Sequence, residues 1–410
     1  MSSSQAAVGD AWSDLPMFFD PSHVALGQEL TRLIRDEDAQ LASVAYVGPR
    51  LAELGLFGLL VPETLGGRRV VAPDAVDVRA VCLVRERLAY MSPLADAVFA
   101  VQGLASHPLV LAEGASRRSE RLRKMVSGET IGGFALTEPE AGSDVGAMRA
   151  TARPGGDGWI LDGEKVFISN VGIAESFVIF ARAQTGSEVP RTTMPSAKQG
   201  EGRAPKRTIS AFLVDVGAPG LTLQPMETLG EHPVGRIVLK GCRVGAEALV
   251  GEVGQGMRLA LGTLDVFRTS VGAAAVGMAR RAVDETLVRV TAREQFGQKL
   301  SEFQLTQAAL AEMATELEAA RLLVYRAAWL KDRREPASAE VAMAKLYATE
   351  AAQRIIDRAV QLHGGLGVMR GSTVEKLYRE IRPLRIYEGT SEIQRLIIGG
   401  ALTKAKEGSA

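Results

Sequence analysis

The chain has 410 residues, enough for two or three domains and a sizeable core. Its 48 basic and 48 acidic side chains cancel, so no global field draws it to nucleic acid or to an anionic membrane surface. Two cysteines, Cys82 and Cys242, are too few for a disulfide framework and fit a reducing compartment, and the four histidines show no paired metal-ligand spacing, so no metal site is expected.

Residues 1–24 read as a loose leader broken by Pro16 and Pro21, with neither an apolar signal core nor an Arg-rich amphipathic pattern. No apolar run approaches membrane-spanning length, and a cytoplasmic protein is expected. From His23 to Met125 the pattern is helical, with Leu30, Leu33 and Ile34 on one stripe and Val78, Val81, Val84 and Leu88 on another. At Ile131 it turns to short β-rich runs at 134–136, 159–161, 166–168, 177–180, 209–214 and 237–239. Gly155-Gly-Asp-Gly158 reads as turn residues, Asp162-Gly163 between two of the runs as a hairpin turn, and residues 184–206 as a long polar surface loop. Helical segments follow at 256–292, 302–332, 337–363 and 374–380, with a last one from Ser391. The fold class is therefore α+β multidomain: an N-terminal helical domain (1–130), a middle β-barrel or sandwich (131–250) and a C-terminal four-helix bundle (251–410).

One late stretch concentrates chemistry: residues 382–394, Arg-Pro-Leu-Arg-Ile-Tyr-Glu-Gly-Thr-Ser-Glu-Ile-Gln, centred on Glu388. Pro383 opposes helix before it, Gly389 permits a sharp turn after it, and Ser391 with Gln394 has the form of a capping box. Glu388 then stands at a helix N-terminus between Ile386 and Tyr387. Apolar surroundings would raise its pKa and the helix dipole lower it, a balance that suits a general base as well as an ordinary helix-start carboxylate.

A second stretch far upstream separates those readings. Residues 133–144, Gly-Phe-Ala-Leu-Thr-Glu-Pro-Glu-Ala-Gly-Ser-Asp, together with Tyr387-Glu-Gly-Thr390, resemble the acyl-CoA dehydrogenase family, and the resemblance runs from about residue 40 to residue 403. It implies that Glu388 abstracts the α-proton of an acyl thioester while hydride passes to flavin N5. It also implies that Phe134, Leu136, Thr137, Gly142 and Ser143 line FAD, with Phe167 and Ser169 beside the flavin ring. Phe167 stands where many members have Trp, keeping the apolar packing and losing the indole N–H. Arg293, Gln295, Phe296 and Gln304 fall in the segment that reaches the adenosine-diphosphate part of FAD across a subunit interface. Gln361, Gly364 and Gly365 match the turn that contacts a neighbouring subunit's FAD, which implies a homotetramer or homodimer. Thr390 and Glu392 complete the cofactor set; Ser143, Asp265, Arg268, Tyr387 and Gly389 fall in the substrate pocket. Phe267 occupies the place where some branches carry their glutamate base, so Glu388 is left with that task. Gly371 departs from an acidic or amide residue usual there. Electron-transfer flavoprotein is the implied acceptor. Alternatives are a carrier-protein thioester, an O2-using oxidase or monooxygenase, and a non-catalytic scaffold.

Overall fold

The computed structural model describes residues 9–34, 38–112, 116–185 and 206–407. Helices α1 (Ala11–Asp14), α2 (Pro21–Leu33), α3 (Val47–Glu53), α4 (Val78–Met91), α5 (Pro93–Leu111) and α6 (Ser116–Ser127) come first. They lead into β1 (Gly132–Ala135), β2 (Thr151–Gly155), β3 (Gly158–Ser169), β4 (Ser176–Thr185), β5 (Lys206–Asp215), β6 (Leu221–Met226), β7 (Val234–Gly245) and β8 (Leu249–Val250). Helix α7 (Gly256–Ala292), a small hairpin of β9 (Glu294–Gln295) and β10 (Gln298–Lys299), α8 (Gln304–Asp332), α9 (Ser338–His363), α10 (Thr373–Ile381) and α11 (Ser391–Glu407) complete the chain. Helical, β and helical regions thus follow one another as expected. The polar loop expected at 184–206 lies almost wholly outside the described residues.

Local chemistry sets the starts of the helices that matter most. The Asp77 side chain accepts from the Ala80 N–H to cap α4, and Ser92 accepts from Ala95 to cap α5, with Pro93 at its first position. Close packing of α7 on α4 needs Gly277, where an added Cβ would lie 2.1 Å from the Glu86 carbonyl oxygen. The alanine- and glycine-rich middle of α7 is therefore a contact surface.

The sheet runs β6-β7-β3-β2-β4-β5-β8, with β1 joining β4 in parallel. Asp162-Gly163 does not turn the chain. It lies inside β3, where the pairing with β7 slips between Leu161 and Gly163, and Asp162 Oδ1 accepts from the Gly241 N–H at 2.6 Å. The hairpin turn is instead the Gly155–Gly158 closure of β2 on β3. Glycine at φ 142 absorbs a bulge as readily as a turn, and the strand partner decides which. Strand β6, absent from the sequence reading, contains Pro225, which an edge strand at the end of this order accommodates.

Helices α2–α5 and α7–α10 contribute to one continuous apolar core, including Leu26, Phe57, Phe99, Val271, Tyr325 and Leu377. The β region has its own, built on Trp159, Phe177 and Phe212. Gln102 on α5 ties the two: its Nε2 donates to the carbonyls of Met125 and Thr130, and its Oε1 accepts from the Gly132 N–H at 2.7 Å.

Two expectations are corrected here. The segment from residue 9 onwards is no loose leader: Leu15 is buried, Arg280 donates to Asp10 at 2.8 Å, and Arg321 donates to the Gly9 carbonyl at 2.9 Å. Buried Glu86 sits at the hub of that fastening, accepting from Arg280 at 3.1 Å and from the Tyr325 hydroxyl at 2.6 Å. Polar anchors spread over 270–312 residues of sequence leave no local pattern to read. Second, Pro93–Leu111 and Gly256–Ala292 are long and apolar enough to cross a membrane. Their most apolar windows are 78% and 67% buried inside the protein, which accounts for their composition. His23, Asp77 and Asp332 also bring three potential ligand atoms within 4.8 Å of one another. Those groups are engaged in fastening, since Asp332 accepts from the Val78 and Arg79 N–H groups and His23 bonds Asp77 at 2.9 Å.

Candidate active site

Glu388 adopts φ 54, the left-handed region that a non-glycine residue occupies only when its surroundings hold it there. Gly389 continues the turn at φ 96. Three side chains clamp the carbonyls this conformation turns inward. Arg268 Nε donates to the Glu388 oxygen at 3.0 Å, Lys345 Nζ donates to the Gly389 oxygen at 2.8 Å, and Gln394 Nε2 donates to the same oxygen at 2.9 Å. The expected Ser391 capping box does not form. Thr390 caps α11 by accepting from Ile393 at 3.4 Å, Ser391 Oγ donates to Glu350 at 2.6 Å, and Gln394 is spent on the turn.

The surroundings of Glu388 are charged more than apolar. Ile386 is 53% exposed. The charges that act on the carboxyl are Arg85 of α4, Asp96 of α5, Arg268 of α7 and Lys345 of α9. Burial pushes its pKa up, the three cations pull it back, and Asp96 adds to the rise. Oε2 is buried and has no hydrogen-bond partner among the described residues. A carboxylate oxygen kept dry and unpartnered, with its proton affinity raised, is the state of a base waiting for a proton. Burial also lowers Lys345 to about 8, against the pull of Glu388.

Asp265 and Arg268, three apart on α7, do not pair with each other: Asp265 takes Lys331 of α8, while Arg268 serves the turn. Phe267 is fully buried between them, edge-on to His107 with ring centroids 5.5 Å apart, and contributes only packing. Tyr387 is 37% exposed over its whole surface, but burial of its hydroxyl drives the phenol above the ordinary range.

A second surface is built from the upstream motif. Phe134 lies on β1, tilted against Phe180 at 4.9 Å, Leu136 is buried, and the Thr137 carbonyl accepts from the Val166 N–H at 3.0 Å. The turn after them leaves Gly142 and Ser143 exposed, and a Cβ at Gly142 would meet nothing within 4 Å. Across from it, the β3–β7 register slips again between Lys165 and Ile168, which puts Phe167 at φ 56 with 65% of its surface exposed. Ser169 follows, half-buried. A strained bulge that holds an apolar ring outwards beside an open hydroxyl-bearing turn fits a flat aromatic cofactor such as an isoalloxazine.

Glu138 and Lys165, which carried no role in the sequence reading, make the motif rigid. Glu138 accepts from Lys165 at 2.7 Å and from the Arg149 and Ala150 N–H groups, and Lys165 also donates to the Leu136 carbonyl at 3.0 Å. Burial opposes the charge on Glu138, but Lys165 and the amides outweigh it and hold the carboxyl below its usual value.

The remaining predicted cofactor residues lie apart from both surfaces in sequence and are exposed. Arg293 and Gln304 flank the β9–β10 hairpin, Gln295 lies in β9, and Phe296 at the tip is 95% exposed at φ 53. Gln361, Gly364 and Gly365 are exposed at the C-terminal end of α9, and Glu392 is exposed on α11 beside half-buried Thr390. Gly371, at φ 94, serves the turn before α10, a conformation that asparagine also tolerates, so the departure at this position has a backbone reason.

Comparison with known proteins settles the lineage. Residues 133–242 match the family model for the acyl-CoA dehydrogenase middle domain, and residues 254–403 match that for the acyl-CoA dehydrogenase C-terminal domain. The short-chain specific acyl-CoA dehydrogenase of Mus musculus mitochondria is 37% identical over 87% of this chain and 82% of its own. The chain belongs to the acyl-CoA dehydrogenase family. Caffeyl-CoA reductase-Etf complex subunit CarC of Acetobacterium woodii is 35% identical over 92% of this chain and 95% of its own. The butyryl-CoA dehydrogenase structure from Megasphaera elsdenii superposes with a TM-score of 0.81 at 29% identity, covering 94% of this chain and 99% of that one. The protein is an oxidoreductase acting on acyl-CoA.

Arg85, Asp96 and Lys345 escaped the sequence reading although they left a signal. Arg85 falls four residues after Val81 and three before Leu88, on the stripe those residues define. Lys345 stands likewise between Val341 and Ala348 on the buried face of α9. A charge on an apolar stripe is a request for a partner.

Proposed function

We propose that this protein carries out FAD-dependent α,β-dehydrogenation of an acyl-CoA thioester to the trans-2-enoyl-CoA, with Glu388 removing the α-proton. The observation that carries the reading is the dry, unpartnered Oε2 of Glu388 on a turn held by Arg268, Lys345 and Gln394. FAD, when bound, supplies the acceptor for the β-hydride. Phe134, Leu136, Thr137, Gly142, Ser143, Phe167 and Ser169 would hold its ring and phosphates, and Thr390 and Glu392 would lie at the base side. Arg293, Gln295, Phe296, Gln304, Gln361, Gly364 and Gly365 would engage cofactor across a subunit contact, which calls for a homodimer or homotetramer. Arg offers a planar fork of donors suited to a pyrophosphate.

Within this chain the chemistry reduces to moving one proton. Oε2 would accept it from the carbon next to the thioester carbonyl, and Arg85, Arg268 and Lys345 oppose the burial that raises the proton affinity of the carboxyl. The backbone N–H of Glu388 would polarise the carbonyl; a preorganised donor of this kind is worth roughly 3–4 kcal/mol. Anaerobic absorbance titration with short, medium, branched and cyclic acyl-CoAs tests the reading. Bleaching of a flavin band by one of them supports it, and a yellow protein that none bleaches overturns it.

The name of CarC, a caffeyl-CoA reductase subunit in an Etf complex, favours one second reading: the same path run backwards, with protonated Glu388 delivering its proton to an enoyl-CoA. The upward push on its pKa supports that role equally. Chemically reduced protein that is reoxidised by enoyl-CoA faster than oxidised protein is bleached by acyl-CoA would decide for reduction. Electron-transfer flavoprotein is the proposed redox partner in either direction, and the cytoplasm the proposed location.

A further inference from the structure

The proposed reaction needs two surfaces in register, and they belong to different parts of the fold. The Glu388 turn follows α10, whose Val374, Leu377 and Ile381 are buried in the helical core. The bulge that carries Phe167 belongs to the β region. The loop 227–233, between β6 and β7, joins the two. On its α10 side, the Glu231 N–H donates to Glu380 Oε1 at 2.7 Å, Arg379 Nη1 donates to the Leu229 carbonyl at 3.0 Å, and Lys376 Nζ pairs with Glu231 Oε2 at 2.6 Å. Gly230 makes room for this approach, since a Cβ there would lie 2.6 Å from Glu380 Oε2. On its β side, the Pro233 carbonyl accepts from the Asn170 N–H at 2.9 Å, and Val234 and Gly235 pair with Ser169 and Ile168. Asn170 is left-handed at φ 65, like Phe167 at φ 56, and its Nδ2 donates to the Gly132 carbonyl at 2.9 Å. The end of the loop that leaves α10 therefore holds the bulge.

Glu380 is buried, and burial pushes its carboxyl above the ordinary value, with Lys376 and Arg379 opposing. A buried carboxyl costs stability, and an apolar residue would serve the packing of α10 as well. We propose that Glu380 is a positioning residue for the proposed reaction: by docking the 227–233 loop on α10, it holds the Phe167 bulge in register with the Glu388 turn. Proton and hydride leave neighbouring carbons of one substrate, so the base and the surface that would face the flavin must keep a fixed separation. The backbone carries the register from Glu380 to the base without a break. It continues through the tight helical turn Arg382–Arg385, and the Ile386 and Tyr387 N–H groups donate to the Pro383 carbonyl. This inference deepens the dehydrogenase reading and rests on it.

The joint is read without turnover, by amide hydrogen exchange of the holoprotein. In Glu380→Leu, exchange should speed up by about tenfold, the scale of one lost hydrogen bond, both at residues 229–233 and at 166–170. The buried middle of β5 should not change. Glu380→Gln keeps an acceptor for the Glu231 N–H and should stay near the wild type. Gly230→Ala presses on the carboxylate from the loop side, should raise exchange at the same two segments, and decides if Glu380→Leu does not fold. Where an acyl-CoA bleaches the flavin, Glu380→Leu should slow bleaching at saturation by about ten- to a hundredfold, with the half-saturating concentration within about twofold of the wild type. Faster exchange confined to 229–233, no change at either segment, or wild-type bleaching from a loosened bulge overturns the inference. Failure of every acyl-CoA to bleach the wild type overturns the dehydrogenase reading alone, because exchange is read independently.

Discussion

In the proposed reaction a single residue, Glu388, carries the proton transfer and its cost. The proposed base stands out because it sits in a motif, and its left-handed backbone was foreshadowed by the Gly389 that follows. What the motif could not show is the ring of Arg85, Arg268 and Lys345, which arrives from three helices distant in sequence. Glu388→Gln should keep the fold and lower turnover by about 10²–10⁴-fold, the usual share of a general base; retained turnover would sink the assignment. The same variant changes stability in a pH-dependent way. Burial raises the folded pKa of Glu388, so the folded protein holds this proton more tightly than the unfolded chain does. That contribution is present below the unfolded value and is lost as pH rises through the folded one. Glu388→Gln should therefore melt above the wild type at about pH 8, with the gap closing towards about pH 4.5. Lys345 has the opposite sign of proton balance. Its folded value of about 8 lies under the ordinary 10.5, so folding sheds its proton and stability rises with pH across that interval. In Lys345→Met that rise should be missing, which denaturant midpoints at about pH 7 and pH 10 would reveal.

Elements were more legible than their joints. Helix α7 reads from its sequence to the residue, because a long apolar run with small residues in its middle leaves few alternatives. Asp162-Gly163 was misread because a glycine that permits φ above zero signals a turn and a bulge alike, and β7 running alongside selects the bulge. The second slip in the same strand has a function in this reading, since it turns Phe167 outwards. Phe167→Ala should leave the sheet intact and weaken FAD retention severalfold, about 1 kcal/mol for a lost aromatic stack, measured by flavin release during dilution. Unchanged retention would detach the bulge from the cofactor. The contact of α7 with α4 is tested at Gly277. An alanine there would press on the Glu86 carbonyl, so Gly277→Ala should cost about 1–3 kcal/mol or more in denaturant unfolding. A neutral outcome would show that the helices can part without loss.

Across the whole molecule, the first and last thirds of the chain are one body, whereas the β region keeps a core of its own. The order of helical and β regions was visible in the sequence. That the two helical regions share an interior was not, because no periodicity says which other helix an apolar face will meet. Glu86 stands at that junction with Arg280, Arg321 and Tyr325 around it. Glu86→Ala would strand two buried guanidinium groups and should cost about 3–5 kcal/mol, read as a lower denaturant midpoint. A loss under about 1 kcal/mol would mean that Asp10 and Asp14 suffice as partners. The shared core also imposes an order on biosynthesis. Helices α4 and α5 leave the ribosome long before α7, the helix that covers them, and the stretch between Leu111 and Gly256 takes roughly seven to thirty seconds to translate. During that interval the part of their apolar faces that α7 covers has no native partner, while the β region, complete by Val250, is free to collapse on its own. The nascent chain is thus a folded middle trailing an unfinished beginning, and the window in which a chaperone is useful closes when α7 emerges.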